Sequence, residues 1–340
     1  MTWDTVECHP SVREQVVRSI TRDRFGGTYL LFGPPGAGQG NVAKAIAKTL
    51  MCREIPHDFC GRCLNCTRID QRTFPDVFEL FPGEDWSNSE RKSSIYGIDH
   101  LRIMQEYALV LPYESEKKIF ILHDAHQMKT EAANCLLKIL EEPYPHNIFL
   151  LLTDNIAGIL PTILSRCQKI RLAPMPITSL AQQLEREMPP DIAETLARAA
   201  GGLPEQARHL VEDKYLETRD RILTSLERIR KSESAVIEEA NAWTEEIKKA
   251  KEKDALRDRF SILLGILRDA VLAASDITDG PYLNRDRLAD IRRLWEGEKP
   301  ETVLAGFEKT LDAVEGLDRY LNTSLLLTDL FLALRTGKRA

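Results

Sequence analysis

Short apolar runs alternate with amphipathic stretches in the first half of the chain. Five runs have the length of buried strands, namely 28–32, 76–80, 118–122, 147–153 and 168–172. Apolar residues recur at helical spacing between some of them, at about 41–51, 97–108 and 128–141. Because apolar strands that alternate with helices form a parallel sheet covered on both faces, we expect an α/β fold here.

Only helical patterns follow the segment APMP at 173–176. Three short ones lie near 178–187, 189–200 and 204–212, and a longer set runs from about 215 to 336. The predicted fold class is therefore α/β and then all-α. We expect three domains, namely an α/β domain at 1–173 with a cysteine module at 52–66, a small helical lid domain at 174–213, and a C-terminal helical domain at 214–340.

The net charge and the N-terminus limit the partners that the chain can have. A net charge of −6 over 340 residues argues against coating nucleic acid by bulk charge. No apolar run approaches the roughly 20 residues of a membrane span. The first ten residues also lack the basic-then-apolar pattern of a signal peptide. We therefore expect a cytoplasmic protein without a membrane partner.

The stretch LFGPPGAGQGN at 31–41 has the arrangement of a phosphate-binding loop between a strand and a helix. Three glycines permit the turn, namely Gly33, Gly36 and Gly38. A working loop ends in Gly-Lys-Ser/Thr, in which the Lys neutralises phosphates and the hydroxyl holds Mg²⁺. Here Gln39 is neutral and Gly40 has no side chain. We expect weak or absent binding of ATP or ADP, and a glycine turn that binds nothing is an equally good interpretation.

The strand predicted at 118–122 leads into His-Asp-Ala-His, where an ATPase would carry Asp-Glu-Ala-His. His123 stands in the place of the metal-directed Asp, and Asp124 stands in the place of the Glu that activates water. An imidazole is a poor substitute because Mg²⁺ prefers hard oxygen ligands. No second ligand at useful spacing supports His123 as a zinc ligand. We therefore expect no competent ATP hydrolysis.

A cluster of cysteines follows the first of these helical patterns. Its spacing is C-x7-C-x2-C-x2-C, and its members are Cys52, Cys60, Cys63 and Cys66. Four thiolates at such separations are typical of a closed, structural Zn²⁺ site. An iron–sulfur cluster is the competing interpretation. Zinc is favoured because no flavin or other redox motif accompanies the cysteines.

Two further segments make a resemblance specific: AANCLLKILEEP at 132–143 and LPTILSRCQ at 160–168. With the cysteine module, they resemble the delta-prime family of subunits of the bacterial DNA polymerase III clamp loader, within the AAA+ superfamily. The resemblance covers about the first 210 residues closely. Beyond that point it extends only to the length and helical character of the C-terminal domain, which would form a collar.

This resemblance implies a subunit of a hetero-oligomeric ring. The ring contains motor and delta subunits, opens the sliding clamp and places it on primed DNA during replication. Arg166 in the Ser-Arg-Cys motif would act in trans as an arginine finger on a neighbour's ATP, and Thr153 resembles the polar residue that senses the γ-phosphate. Glu205 lies near the position where motor subunits carry an arginine that contacts nucleotide.

Ordinary structural roles for these residues, and other functions for the chain, remain open as alternatives. Arg166 alone could be a surface arginine in an ion pair, and Thr153 could be an ordinary strand-end residue. The chain could also be an active motor ATPase of the same complex, although Gln39, Gly40 and His123 speak against it. A third possibility is a stand-alone, zinc-stabilised DNA-binding protein, which the acidic balance disfavours.

Overall fold

The computed structural model describes residues 3, 6, 8, 10–84, 96–250, 254–278, 280–317 and 322–335. The chain divides into two compact units. The first comprises Met1–Gln183 with Gly201–Gln206, and the second comprises Leu184–Ala200 with Ala207–Ala340. The three-domain division expected from the sequence stays a prediction.

A five-stranded sheet forms the centre of the first unit. Its strands are β1 Gly27–Phe32, β2 Val77–Leu80, β3 Lys118–Leu122, β4 Asn147–Thr153 and β5 Gln168–Arg171. Their order is β2-β3-β4-β1-β5, and every neighbouring pair is parallel. Each strand lies where an apolar run predicts it, and no strand end differs by more than one residue.

Helices cover both faces of this sheet. They are α1 Pro10–Thr21, α2 Gln39–Met51, α3 Leu64–Asp70, α4 Ile98–Leu109, α5 Thr130–Glu141 and α6 Pro161–Leu164. A further helix, α7 Ile177–Leu184, follows β5 in the chain. Alternate residues of β3 show the two faces, because Ile119 packs with α1 and α2 whereas Phe120 packs with α4 and α5. Both residues are fully buried, so the sheet is apolar on both sides.

Helices alone make up the rest of the described chain. They are α8 Pro190–Ala199, α9 Pro204–Glu212, α10 Tyr215–Lys231, α11 Ser234–Ala250, α12 Asp254–Ala274, α13 Leu288–Leu294, α14 Pro300–Gly316 and α15 Thr323–Arg335. In the second unit, Trp243 of α11 packs edge-to-face on Phe331 of α15. The buried Arg219 of α10 forms two hydrogen bonds with Asp286, at 2.8 and 2.7 Å. The fold class predicted from the sequence, α/β and then all-α, is confirmed.

Candidate functional site

The glycine loop connects β1 to α2 in a shape that needs its glycines. Gly36 and Gly38 have φ values of 81° and 85°, in the left-handed region that favours glycine. A Cβ on Gly33 would lie 2.3 Å from the carbonyl oxygen of Leu172, so a side chain is excluded there. The conformation of the loop therefore depends on these three glycines.

Gln39 uses its side chain within the loop itself. Its Nε2 donates to the carbonyl oxygens of Gly33 at 3.0 Å and Pro34 at 3.2 Å. A lysine at this position in a working loop reaches the phosphates instead. The Gln39 amide therefore supplies no positive charge, and its donors contact the loop's own backbone.

The ring of His123 fills the space beside Gly40. Its Nε2 forms a hydrogen bond with Glu79 Oε1 at 2.9 Å. The ring also stacks on Phe81, with the ring centroids 4.0 Å apart. A Cβ on Gly40 would lie only 3.3 Å from His123 Cε1. Positions 40 and 123, at which the sequence predicts departures from a working ATP site, therefore adjoin each other in space.

Glu79 is a buried carboxylate surrounded by basic side chains. Only 4% of its side chain is exposed, and it lies 3.3 Å from the Lys44 ammonium and 3.4 Å from the Arg72 guanidinium. Burial by itself raises the pKa of Glu79, but the hydrogen bond to His123 and the charges of Lys44, His123 and Arg72 outweigh it and lower the pKa. Because Glu79 stays ionised and is already paired, a Mg²⁺ ion would have to displace one of these partners.

A cavity of about 260 Å³ collects most of the predicted nucleotide residues. It is lined by Pro35, Gly36, Gln39, Gly40, His123, Asp124, Leu152, Thr153, Asp154 and Glu205. Gly33 and Gly38 shape the loop but do not line the cavity. The structure thus brings the glycine loop, the His-Asp pair and the strand-end threonine together.

The charge of this cavity is negative. Three of its lining residues are carboxylates, Asp124, Asp154 and Glu205, and none of the ten is Lys or Arg. Thr153 is already engaged, because its hydroxyl contacts His126 Nδ1 at 3.0 Å and accepts from the backbone N–H of Asn155 at 3.1 Å. Like charges repel across such a small space, so these carboxylates act against the approach of an anion.

The four predicted cysteine ligands lie together. Their Sγ atoms are all within 4.8 Å of one another, in the set Cys52, Cys60, Cys63 and Cys66. A tetrahedral ion with bonds to sulfur of about 2.3 Å would separate the sulfurs by about 3.8 Å. The backbone N–H of Cys63 donates to Cys60 Sγ at 3.2 Å. The cluster can therefore hold a metal ion.

The backbone around the cluster favours thiolates unequally. The pKa of Cys60 falls to about 6, chiefly because the backbone N–H of Arg62 donates to its sulfur. Burial raises the pKa of Cys66 above its ordinary value. A metal ion offsets that cost, because it binds the thiolate form. Four sulfur donors without an open position fit a closed structural site.

Polar contacts fix the cysteine module to neighbouring parts of the first unit. Asn65 Nδ2 donates to the carbonyl oxygen of Met51 at 2.8 Å, at the end of α2. Arg68 of α3 forms a two-pronged pair with Glu114, at 2.8 and 3.1 Å. Disturbing the cysteines would therefore also affect the end of α2 and the segment around Glu114.

Arg166 lies two residues after the end of α6 and does not line the cavity. Its Nη2 forms an ion pair with Glu141, the last residue of α5. Its Nη1 donates to the carbonyl oxygen of Thr162 at 2.8 Å and to Ser165 Oγ at 3.3 Å. About a third of the side chain, 32%, is exposed. Arg166 is thus separate from the nucleotide residues that the sequence predicts for this chain.

Comparison with known proteins identifies the family. A family model described as DNA polymerase III, delta subunit, matches residues 8–176, and one described as its C-terminal part matches residues 213–336. DNA polymerase III subunit delta′ of Bacillus subtilis is 28% identical over 99% of each chain. The same subunit of Pseudomonas aeruginosa is 30% identical over 65% of this chain and 67% of its own. This chain belongs to the DNA polymerase III subunit delta′ family.

Two proteins outside the delta′ family are also similar to this chain. DNA polymerase III subunit tau of Bacillus subtilis is 32% identical over 159 residues, 46% of this chain and 26% of its own. A solved structure of a DNA polymerase III gamma subunit-related protein from Thermotoga maritima aligns over 96% of this chain and 99% of its own, with 18% identity and a TM-score of 0.42. In the described part of this delta′ chain, no helix could cross a bilayer.

Sequence reasoning missed two residues that this delta′ chain places at the predicted sites. Glu79, the partner of His123, is an acidic residue inside the apolar run 76–80, and that interruption was a usable signal. Glu141, the partner of Arg166, occupies an ordinary exposed position at a helix end. Nothing in the sequence pattern distinguishes Glu141 from the adjacent Glu142.

Proposed function

We propose that the chain is a clamp-loader subunit that does not hydrolyse ATP and that supplies Arg166 to ATP bound by a neighbouring subunit. Its relatives are DNA polymerase III subunits of the delta′ and tau types, which supports a role in DNA replication. The observation that carries the non-hydrolysing assignment is the cavity beside the glycine loop, in which carboxylates and His123 stand where cations and a metal-binding acid would be needed.

The chemistry of the cavity supports weak or absent nucleotide binding. Phosphoryl transfer requires a lysine at the phosphates and a carboxylate that holds Mg²⁺. The chain offers Gln39, whose donors contact the loop carbonyls, and His123, whose ring contacts Glu79. The backbone N–H groups of the loop would still attract a phosphate. The three carboxylates that line the cavity would repel it.

A role in trans suits the position of Arg166. Its guanidinium is separate from the cavity and a third exposed, so a second subunit could approach it. A planar guanidinium binds phosphate oxygens in a two-pronged manner and stabilises the charge that spreads over the γ-phosphate. The Ser-Arg-Cys sequence at 165–167 adds the family resemblance to this physical reason.

We further propose that the partners are the motor and delta subunits of a hetero-oligomeric ring, and through them the sliding clamp and primed DNA. Residues 174–213 would form the lid and residues 214–340 the collar. Large apolar side chains are exposed on two adjacent collar helices, Leu304 and Leu311 on α14 and Leu325 and Leu332 on α15. Such side chains are suited to contact with other subunits. The predicted cytoplasmic location fits this role.

Zinc is the metal that we propose for the cysteine cluster. Cys52, Cys60, Cys63 and Cys66 would hold it through sulfur alone. When bound, the ion supplies folding energy and no catalytic chemistry, because four thiolates leave no open coordination position. An iron–sulfur cluster is the alternative that elemental analysis would detect.

Reconstitution of the ring tests the proposed role of Arg166. The variant Arg166→Ala should assemble with the motor and delta subunits, yet reduce DNA-stimulated ATP hydrolysis and clamp loading. A trans arginine typically contributes about 10³–10⁵ in rate at its own site, and one finger among several in a ring should affect total turnover less. Arg166→Lys should restore little, because it keeps the charge but loses the planar fork. Unchanged clamp loading by an assembled Arg166→Ala ring would refute the assignment.

The main rival, an active motor subunit, predicts ATP turnover by the isolated chain. His123, Gln39 and Gly40 oppose it for the reasons above. Measurable hydrolysis by the purified chain, abolished by substitution of Asp124, would favour that rival. A stand-alone DNA-binding protein would instead retard primed DNA without partners.

A further inference from the structure

We propose that Glu141 is a positioning residue that holds Arg166 in a retracted position and competes with the phosphate that Arg166 must reach. The inference rests on the proposed function of Arg166 in trans. It adds that the finger is restrained by its own chain until a neighbour's nucleotide displaces the Glu141 carboxylate. Release of this contact would then be part of the cost of every productive engagement.

The contacts of the guanidinium show the retracted position. Nη2 pairs with the Glu141 carboxylate, while Nη1 donates to the Thr162 carbonyl oxygen and to Ser165 Oγ. Thr162 is four residues before Arg166, so the side chain lies back over the turn from which it emerges. Both Nη atoms therefore contact this chain.

Glu141 ends one helix and Arg166 lies in the turn after another, and both helices are anchored in the same core. Glu141 ends α5, whose Leu136 and Leu140 are buried. Arg166 follows α6, whose Ile163 is buried in the same apolar cluster. The distance between the two side chains is thus set by packed elements, and the pair does not depend on a long mobile loop.

A carboxylate and a phosphate offer the guanidinium the same kind of partner. Both present anionic oxygens that accept from the Nη atoms of arginine, and the fork cannot serve both with the same N–H groups. Glu141 and a phosphate would therefore compete for the N–H groups of Arg166. Binding of a phosphate by the whole fork would require the ion pair with Glu141 to loosen.

The exposure of the pair makes the restraint reversible. The side chains of Arg166 and Glu141 are 32% and 47% exposed, so water and salt weaken their attraction. Exposed pairs of this kind alter an equilibrium by roughly two- to fivefold. That range can delay a finger without disabling it, whereas a buried pair would oppose engagement far more strongly.

The reconstituted ring tests this with Glu141→Gln, which keeps the shape of the side chain and removes its charge. Glu142→Gln is the matched control, because Glu142 is adjacent and also exposed. We expect Glu141→Gln to raise ATP hydrolysis by the ring without DNA by roughly two- to fivefold, and Glu142→Gln to leave it unchanged. In an Arg166→Ala background, Glu141→Gln should have no effect, because its action runs through Arg166.

The isolated chain gives an independent readout of the contact. The Arg166 Nε–Hε resonance, assigned by its loss in Arg166→Lys, should shift in Glu141→Gln and not in Glu142→Gln. If Arg166→Ala leaves ring activity unchanged, the proposed function fails and this inference fails with it. If Arg166→Ala lowers activity while Glu141→Gln matches or falls below the unmodified ring, the competition alone is overturned. An unshifted resonance in Glu141→Gln also overturns it.

Discussion

At the scale of single residues, positions 40 and 123 depend on each other. A Cβ on Gly40 meets His123 Cε1 at 3.3 Å, and the ring has little freedom to move away. It is held by the hydrogen bond to Glu79 and by stacking on Phe81. A side chain at position 40 would therefore be opposed by the ring of His123.

We expect the effect of Gly40→Ala on stability to change sign with the residue at position 123. Beside His123, the added methyl should destabilise the chain by up to about 1 kcal/mol, because overpacking outweighs the better helix propensity of Ala. In a His123→Ala background it should stabilise by a few tenths to about 1 kcal/mol. Urea unfolding of the four proteins measures this coupling. Gly26→Ala, where a Cβ meets nothing within 4 Å, is the control, and equal effects in both backgrounds would disprove the dependence.

Glu79 should make the free energy of unfolding depend on pH in the acidic range. Its pKa is lowered in the folded protein from the ordinary 4.5, because three basic partners outweigh its burial. Below pH 4.5, Glu79 is therefore protonated in the unfolded chain while it is still ionised in the folded chain. This contribution to stability is complete above pH 4.5 and is lost as the pH falls through the lowered native pKa.

Glu79→Gln should remove that dependence. At pH 7 we expect the variant to be less stable by on the order of 1–3 kcal/mol, since hydrogen bonds to a charged group are lost. The difference between variant and unmodified chain should shrink as the pH falls below 4.5. Urea midpoints at pH 7 and pH 3.5 measure it, with the exposed Glu142→Gln as the control. A difference that does not depend on pH would count against the ionised Glu79.

At the scale of elements, the cysteine module joins two helices. Cys52 follows α2 and Cys66 lies within α3, so one ion bound by the four cysteines would link both. We expect about one zinc per chain by elemental analysis. Chelation should increase hydrogen exchange at 52–66 and at the end of α2, because metal binding contributes folding energy. Iron in place of zinc, or no metal, would contradict this expectation.

Single substitutions distinguish the effect of losing a metal ligand from the general effect of losing any thiol. Cys63→Ser should lower zinc content and loosen the same segments. Cys135→Ser is the matched control, since Cys135 is partly exposed and lies outside the cluster. It should retain the metal and the exchange pattern of the unmodified chain.

Elements with complete burial were the most predictable from the sequence. Every residue of β3 and β4 is buried, so each strand contains an apolar run, at 119–122 and 148–152, with polar residues only at the strand ends. Helix α1 was missed, although Val12, Val16 and Ile20 repeat at helical spacing. The contact between Glu79 and His123 could not be predicted, because it depends on β2 and β3 pairing in the register Leu80 to Leu122. Sequence spacing does not reveal which strands become neighbours.

At the scale of the whole molecule, the proposed ring needs surfaces that only assembly would cover. The helices α14 and α15 pack closely at Gly306, where a Cβ would lie 2.9 Å from Leu334 Cδ2. Their outer faces carry exposed leucines at a spacing of seven residues, Leu304 and Leu311 on α14 and Leu325 and Leu332 on α15. Side chains seven positions apart lie on one face of a helix. Between 41% and 63% of each of these four leucines is exposed in the isolated chain, so each has apolar surface left for a partner to cover.

We therefore expect charge on this face to prevent assembly without unfolding the chain. Leu311→Glu should leave the melting temperature of the isolated chain within a few degrees, because an exposed substitution typically changes stability by about 0.5 kcal/mol or less. It should weaken binding to the motor and delta subunits at least about tenfold, since it places a charge in a desolvated contact. Thermal unfolding gives the melting temperature of the isolated chain. Size-exclusion chromatography with light scattering gives the mass of the chain alone and of its complex with the motor and delta subunits. Ala305→Glu, exposed on the same helix, is the control and should assemble. If Leu311→Glu enters the ring as readily as the unmodified chain, this face lies outside the subunit contacts.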